Sequence, residues 1–185
     1  TGVQTCASSD LTDTDIVLPV YSTAFDWIDI RPSALNYLSH GAMGLASSHA
    51  LGLALGRPDR RVIVLDGDGS LLMNIGTLVS IAEAAPKNLY HFVMENGTYE
   101  ANGGHPIPGK GAVSFAGMAR SAGHKNVHEF ADLKVFDQQA GAILADPGPV
   151  FTCLKIVSSG EQQRDYSRLH GPHVRQAFRD AIGAK

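Results

Sequence analysis

The chain has 185 residues, 44% hydrophobic and 18% charged, with a formal net charge of −3 and a mean hydropathy of −0.03. That length suits one well-buried domain, and the mild acidity excludes both a nucleic-acid footprint and an acidic disordered tail. No apolar run is long enough to span a bilayer.

Residues 1–10 lack the basic and apolar regions of a signal peptide. Cys6 and Cys153 stand far apart, which is neither a disulfide framework nor a metal motif. A cytoplasmic protein with no membrane or nucleic-acid partner is expected.

Residues 1–185 are read as a single domain, with 158–185 as a C-terminal tail and helix. Ile16–Val20 is a short apolar run that predicts a strand. Met43–Leu55 is rich in Ala, Gly and Ser and predicts a helix packed close to a sheet, ended by Arg57-Pro58-Asp59 because proline restricts the residue before it. Arg61–Asp66 has the continuous β-branched run of a parallel strand buried on both faces. A turn at Gly67-Asp68-Gly69 then leads into a helix expected from Ser70 to about Ala85. Leu89–Glu95 is the next strand, and residues 96–111, with five glycines and two prolines, form a loop. Ser114–Ala122 and Leu133–Ala145 read as helices, Asn126–Phe130 as extended, and Val150–Val157 as a last buried strand. In the tail, Val174, Ala177, Phe178 and Ile182 recur at helical spacing.

This alternation predicts an α/β fold of three layers, α/β/α, around a mostly parallel sheet. Ligands of such sheets bind at the carboxyl ends of the strands, where the Gly67 turn and the loop after Glu95 both lie.

Gly67-Asp68-Gly69-Ser70 follows a buried strand and opens a helix. Glycines admit a close approach of the backbone, and unpaired N–H groups at a helix start favour an anion, phosphate above all. No Lys or Arg occurs from Asp66 to Ala85, so a Walker-type phosphate loop is excluded. A bare Asp68 near phosphate would be repelled by roughly 1–4 kcal/mol at a contact of about 4 Å. A divalent cation between the two removes the conflict, and hard oxygen donors suit Mg²⁺. Glu95-Asn96-Gly97-Thr98-Tyr99, at the next strand end, can add the Asn96 amide oxygen and, through a bend at Gly97, the Thr98 carbonyl.

Gly-Asp-Gly, then residues 70–95, then Asn96 resembles the signature of thiamine diphosphate enzymes, in their diphosphate-binding domain. The resemblance implies metal ligation by Asp68, Asn96 and the Thr98 main chain, and diphosphate binding by Gly67, Gly69 and Ser70, with Tyr99 in the same segment. Gly41-Ala42-Met43-Gly44 resembles the family's Gly-x-hydrophobic-Gly element. By that match the Gly41 carbonyl receives the cofactor's 4′-amino group, and Met43 is the apolar wedge that bends the cofactor. Ser22 and Thr23 fall where relatives place further diphosphate contacts.

The stretch GLASSHALGLALGRPDRRVIVLDGDGSLLMNIGTLVSIAEAAPKNL is similar to the cofactor half of sulfopyruvate and phosphonopyruvate decarboxylases, and Gly103-Gly104-His105-Pro106 resembles their Gly-Gly-x-Pro loop. Glu100 and His105, in the loop over the crevice, are candidate substrate contacts. The implied activity is decarboxylation of a 2-oxo acid with thiamine diphosphate and Mg²⁺. In that family a glutamate on a separate pyrimidine-binding domain activates the cofactor, and 185 residues hold no second such domain. A pyrimidine-domain subunit in a hetero-oligomer is therefore the expected partner, the other source being a part of the enzyme outside this sequence. A carboligase of acetolactate synthase or benzaldehyde lyase type is the rival enzyme, and a non-catalytic cofactor-binding regulatory module is the rival of another class.

Overall fold

A computed structural model describes residues 10–38, 43–158 and 165–184. Strands β1 (Ile16–Pro19), β2 (Val62–Gly67), β3 (Leu89–Glu95), β6 (Asn126–Phe130) and β7 (Val150–Lys155) make one sheet, and β4 (Thr98–Tyr99) with β5 (His105–Pro106) makes a small hairpin. The large sheet is parallel throughout, in the order β1-β2-β3-β7-β6. Around it stand α1 (Tyr21–Ile30), α2 (Ala46–Gly56), α3 (Asp68–Met73), α4 (Thr77–Ala84), α5 (Phe115–Ser121), α6 (Leu133–Ala145), α7 (Ser167–His170) and α8 (Pro172–Ala181).

The alternation of side chains along β2 builds the layers. Val62 and Val64 pack with Ala46, Ala50 and Ala54 of α2. Ile63 and Leu65 point the other way, into a cluster with Trp27 of α1 and with Phe136 and Ala140 of α6. Both faces are thus covered, which is why the strand is apolar without interruption. The expected three-layer α/β/α architecture is what the chain forms. The alanines of α2 recur every four residues, the small-residue face that lets this helix lie close to the sheet.

Three departures have local causes. The helix expected over residues 70–85 is two helices: α3 starts at Asp68, and the chain breaks at Asn74–Gly76 before α4. Asn74 and Gly76 are poor helix formers, and the Asn74 carbonyl accepts instead from the Thr77 N–H and hydroxyl at 3.1 Å each. Helix α1 has no side-chain cap and begins at Tyr21 with φ 47°. It carries no start signal and is held by packing of Ala24, Phe25 and Trp27, the Trp27 indole N–H donating to Asn36 Oδ1 at 2.9 Å. The loop after Glu95 is partly ordered as β4, a 3₁₀ turn and β5.

Of the tail's apolar residues, Phe178 is buried and its ring lies 5.0 Å from that of Tyr37, Ile182 packs on the same cluster, and Ala177 is exposed. Arg168 pairs with Asp29 at 2.7 Å. Cys6 lies outside the described residues, and Cys153 is a buried free thiol. Among the described residues no helix is long and apolar enough to cross a membrane.

Candidate cofactor site

The carboxyl ends of β1, β2, β3 and β7 open onto one cavity of about 410 Å³. Ser22, Thr23, Met43, Gly67, Asp68, Gly69, Ser70, Asn96, Thr98, Tyr99 and Glu100, eleven of the residues singled out from sequence, line it. Gly41, like His40, lies outside the described residues.

Asp68 is the organising group. It is 1% exposed, its Oδ1 accepts from the Gly69 N–H at 2.7 Å, and its Oδ2 accepts from the Gly97 N–H at 2.6 Å. The second bond ties the end of β2 directly to the turn after β3, so the two strand ends share one crevice as their spacing implied. Burial pushes the Asp68 carboxyl above the usual carboxylate range, opposed by the N–H groups of Gly97, Gly69 and Asn96 and reinforced by Glu95. No Lys, Arg or His forms an ion pair with it among the described residues. A buried carboxylate without a countercharge is costly, and a bound cation would offset that cost.

The rest of the donor set fits that cation. Asn96 Oδ1 accepts from the Thr98 N–H at 2.8 Å and from the Thr98 hydroxyl at 3.0 Å, an Asx turn that holds the amide oxygen at the crevice. Gly97 has φ 72°, a conformation that glycine adopts without strain and that makes the predicted bend. No three His, Cys, Asp or Glu of the described residues cluster as a metal site. One carboxylate with neutral amide and carbonyl oxygens is a donor set for Mg²⁺ completed by phosphate oxygens.

Close packing frames the diphosphate side. A Cβ on Gly69 would stand 2.5 and 2.6 Å from the Tyr99 ring, so only glycine lets the helix start and the β4 tyrosine meet. Ser70 Oγ accepts from the Gly44 N–H at 3.3 Å, which links the segment after Met43 to α3. Thr23 Oγ1 donates to the Val20 carbonyl at 2.8 Å, so its hydroxyl already anchors the start of α1.

Two loop candidates part company. Glu100 is in the wall, with Oε1 accepting from the Ser158 hydroxyl at 2.6 Å. His105 is exposed and outside the wall. Its ring folds back over Gly103, 3.5 Å from where a Cβ would be, so the fold does not bring it to the cavity wall as it does Glu100. Lys110 is exposed too, its stem lying along Gly97.

Sequence reasoning missed Tyr21, Asp26, Leu133, Lys155 and Val157, all in the wall. They follow or end β1, β6 and β7, and the rule that ligands sit beyond strand ends, applied to every strand, would have found them. Of the histidines, His91 and His124 are buried, and His49 lies edge-on to Tyr37 at 5.6 Å.

Residues 19–152 match the family model described as thiamine pyrophosphate enzyme, C-terminal TPP binding domain. The chain belongs to this family. Among relatives of this thiamine pyrophosphate domain, the sulfopyruvate decarboxylase subunit beta of Methanothermobacter thermautotrophicus is 44% identical over 127 residues, covering 69% of this chain and 65% of the relative. The phosphonopyruvate decarboxylase of Streptomyces viridochromogenes is 39% identical over 116 residues, covering 63% of this chain and 29% of the relative. The chain thus matches less than two-thirds of either relative's length. In fold, the benzoylformate decarboxylase of Polynucleobacter necessarius superposes with a TM-score of 0.66 at 18% identity, over 89% of this chain and 33% of that one.

Proposed function

We propose that this thiamine pyrophosphate domain is the cofactor-binding subunit of a thiamine diphosphate- and Mg²⁺-dependent 2-oxo-acid decarboxylase of the sulfopyruvate or phosphonopyruvate type. The observation that carries the reading is the buried, uncompensated Asp68 carboxylate, bonded across to Gly97 beside Asn96 at the cavity wall. The names of the relatives support the reaction class and, through the subunit beta designation, a second subunit.

Thiamine diphosphate supplies the electron sink for loss of CO₂ from a 2-oxo acid. The chain's own residues bind and orient. Asp68, the Asn96 amide oxygen and the Thr98 carbonyl hold Mg²⁺. Gly67, Gly69, Ser70 and, from the start of α1, Ser22 and Thr23 receive the diphosphate. Met43 is the apolar wedge, and Glu100 stands in the wall where substrate enters. Gly41 takes its role from the family match. The activating glutamate comes from a pyrimidine-domain partner, and the assembly works in the reducing cytoplasm.

The test is reconstitution. The chain alone, given thiamine diphosphate and Mg²⁺, is expected to show no turnover, and the complex with its partner to release CO₂ and an aldehyde from a 2-oxo acid. Turnover by the single chain overturns the half-site reading. A complex that binds no thiamine diphosphate overturns the cofactor reading. Mixed carbonyl substrates added to the same assay separate release of an aldehyde from carboligation.

A further inference from the structure

We infer that His91 and Asp66 form a positioning pair that fixes the Gly67–Gly69 turn, and through it the seat of the diphosphate and its cation. The inference rests on the cofactor reading above.

Asp66 is the last buried side chain of β2 before the turn, and His91 lies on the adjacent strand β3. Each is 1% exposed. His91 pairs in register with Val64 and Asp66 with Val93, so the two side chains sit one step apart on the same face of neighbouring strands. Their contact is direct: His91 Nε2 is 3.2 Å from Asp66 Oδ2. The other carboxylate oxygen, Oδ1, accepts from the Gly67 N–H at 2.9 Å. One carboxylate therefore links the imidazole of β3 to the first amide of the turn that carries Asp68.

A carboxyl and an imidazole buried together cost more than the apolar residues that fill every other buried position of β2 and β3. The cost is not minimised either, because His91 Nδ1 is buried without a hydrogen-bond partner. The ring is also braced, edge-on to Phe151 at 5.3 Å, and Phe151 in turn meets His124 at 6.0 Å. A ring locked by packing, holding a carboxylate that holds a backbone amide, is how a supporting shell fixes a binding loop. Asp66 also reaches the cavity electrostatically. Burial first, and the Asp66 charge second, raise the phenol of Tyr21, which stands in the cavity wall.

Two amide variants test the pair. In His91→Gln the side-chain nitrogen can occupy the place of Nε2 and donate to Asp66. In His91→Asn an equally polar amide falls short of it. Thiamine diphosphate with Mg²⁺ is titrated calorimetrically into the full protein with its partner, and exchange of the Gly67 amide is followed by NMR in the chain itself. His91→Asn is expected to weaken cofactor binding about tenfold or more and to speed Gly67 exchange by a similar factor, since a hydrogen bond to a charged group is lost. His91→Gln is expected to stay within about threefold of the parent on both readouts.

Equal behaviour of the two variants overturns the inference, whatever their melting temperatures, because a merely structural histidine lowers stability in both without separating them. Should His91→Asn not fold, Asp66→Ala tests the pair from its other side with the same expectation. If the parent protein itself binds no thiamine diphosphate, the cofactor reading fails, and Gly67 exchange alone still decides the pair.

Discussion

At the residue scale, two positions decide what the cavity can hold. Asp68 is a carboxylate buried against two backbone N–H groups, with no ion-pair partner among the described residues. Its burial makes chemical sense when a divalent ion supplies the charge. Asp68→Ala is expected to lower Mg²⁺-dependent affinity for thiamine diphosphate by at least about a hundredfold while the protein still folds, read by calorimetry beside a thermal melt. Unchanged affinity would remove Asp68 from the metal site. Gly69 is sterically obligatory, because a methyl there overlaps the Tyr99 ring. Gly69→Ala is expected to cost about 1–3 kcal/mol by overpacking, and Gly69→Ala with Tyr99→Ala to be less destabilised than the sum of the single changes. A denaturant-based double-mutant cycle measures this, and strict additivity would show that Tyr99 is not the obstacle.

At the scale of elements, helices that lack local signals are held by what they pack on. The last helix, α8, has its basic residues in solvent and is tied down by one buried aromatic, Phe178, against Tyr37 and the α2 side of the sheet. Phe178→Ala is expected to destabilise the fold by about 3 kcal/mol through the lost transfer energy and the cavity left behind. Exposed Arg179, changed to Ala, is expected to stay within about 0.5 kcal/mol. Urea unfolding of both variants checks the contrast, and equal losses would mean that α8 is not anchored by its apolar face. The break between α3 and α4 has its own use. It frees Asn74, whose side-chain amide donates to Ser48 Oγ at 3.2 Å, and so couples the helix of the diphosphate turn to α2.

At the scale of the whole molecule, stability should depend on pH through a buried histidine that is not part of the cavity wall. His124, 5% exposed, packs between helices with Nε2 3.0 Å from the Leu78 carbonyl. Burial lowers its pKa, against the raising influence of that carbonyl and with a further lowering from His91. With the folded value below the unfolded value of about 6.5, the unfolded chain binds more protons in the window between the two. The contribution to stability is therefore full above the unfolded value and is lost as pH falls below it toward the folded value. Melting temperatures of the parent are expected to fall between pH ~7.5 and ~5.5, and His124→Gln to fall less steeply. Parallel curves for the two proteins would exclude His124 as the titrating group.

Much of this molecule was legible in its sequence because the governing physics is local. Uninterrupted β-branched runs mark strands covered on both faces, as in Val62–Leu65, and the boundaries of Leu89–Glu95, Asn126–Phe130 and Leu133–Ala145 agree with the elements formed. The order of Gly-Asp-Gly and Asn96 along the chain places both at consecutive strand ends, so Asp68 meets the amide after Asn96 without any long-range information. Tertiary structure alone decided the rest. Helix α1 has no side-chain cap, and the burial of Ala24, Phe25 and Trp27 holds it in place. β7 inserts between β3 and β6, which brings Lys155 and Val157 to a cavity that begins at β1. The hydrogen bond between Asp66 and His91 depends on the register of two strands, a quantity set by how whole layers pack and not by the residues near either partner.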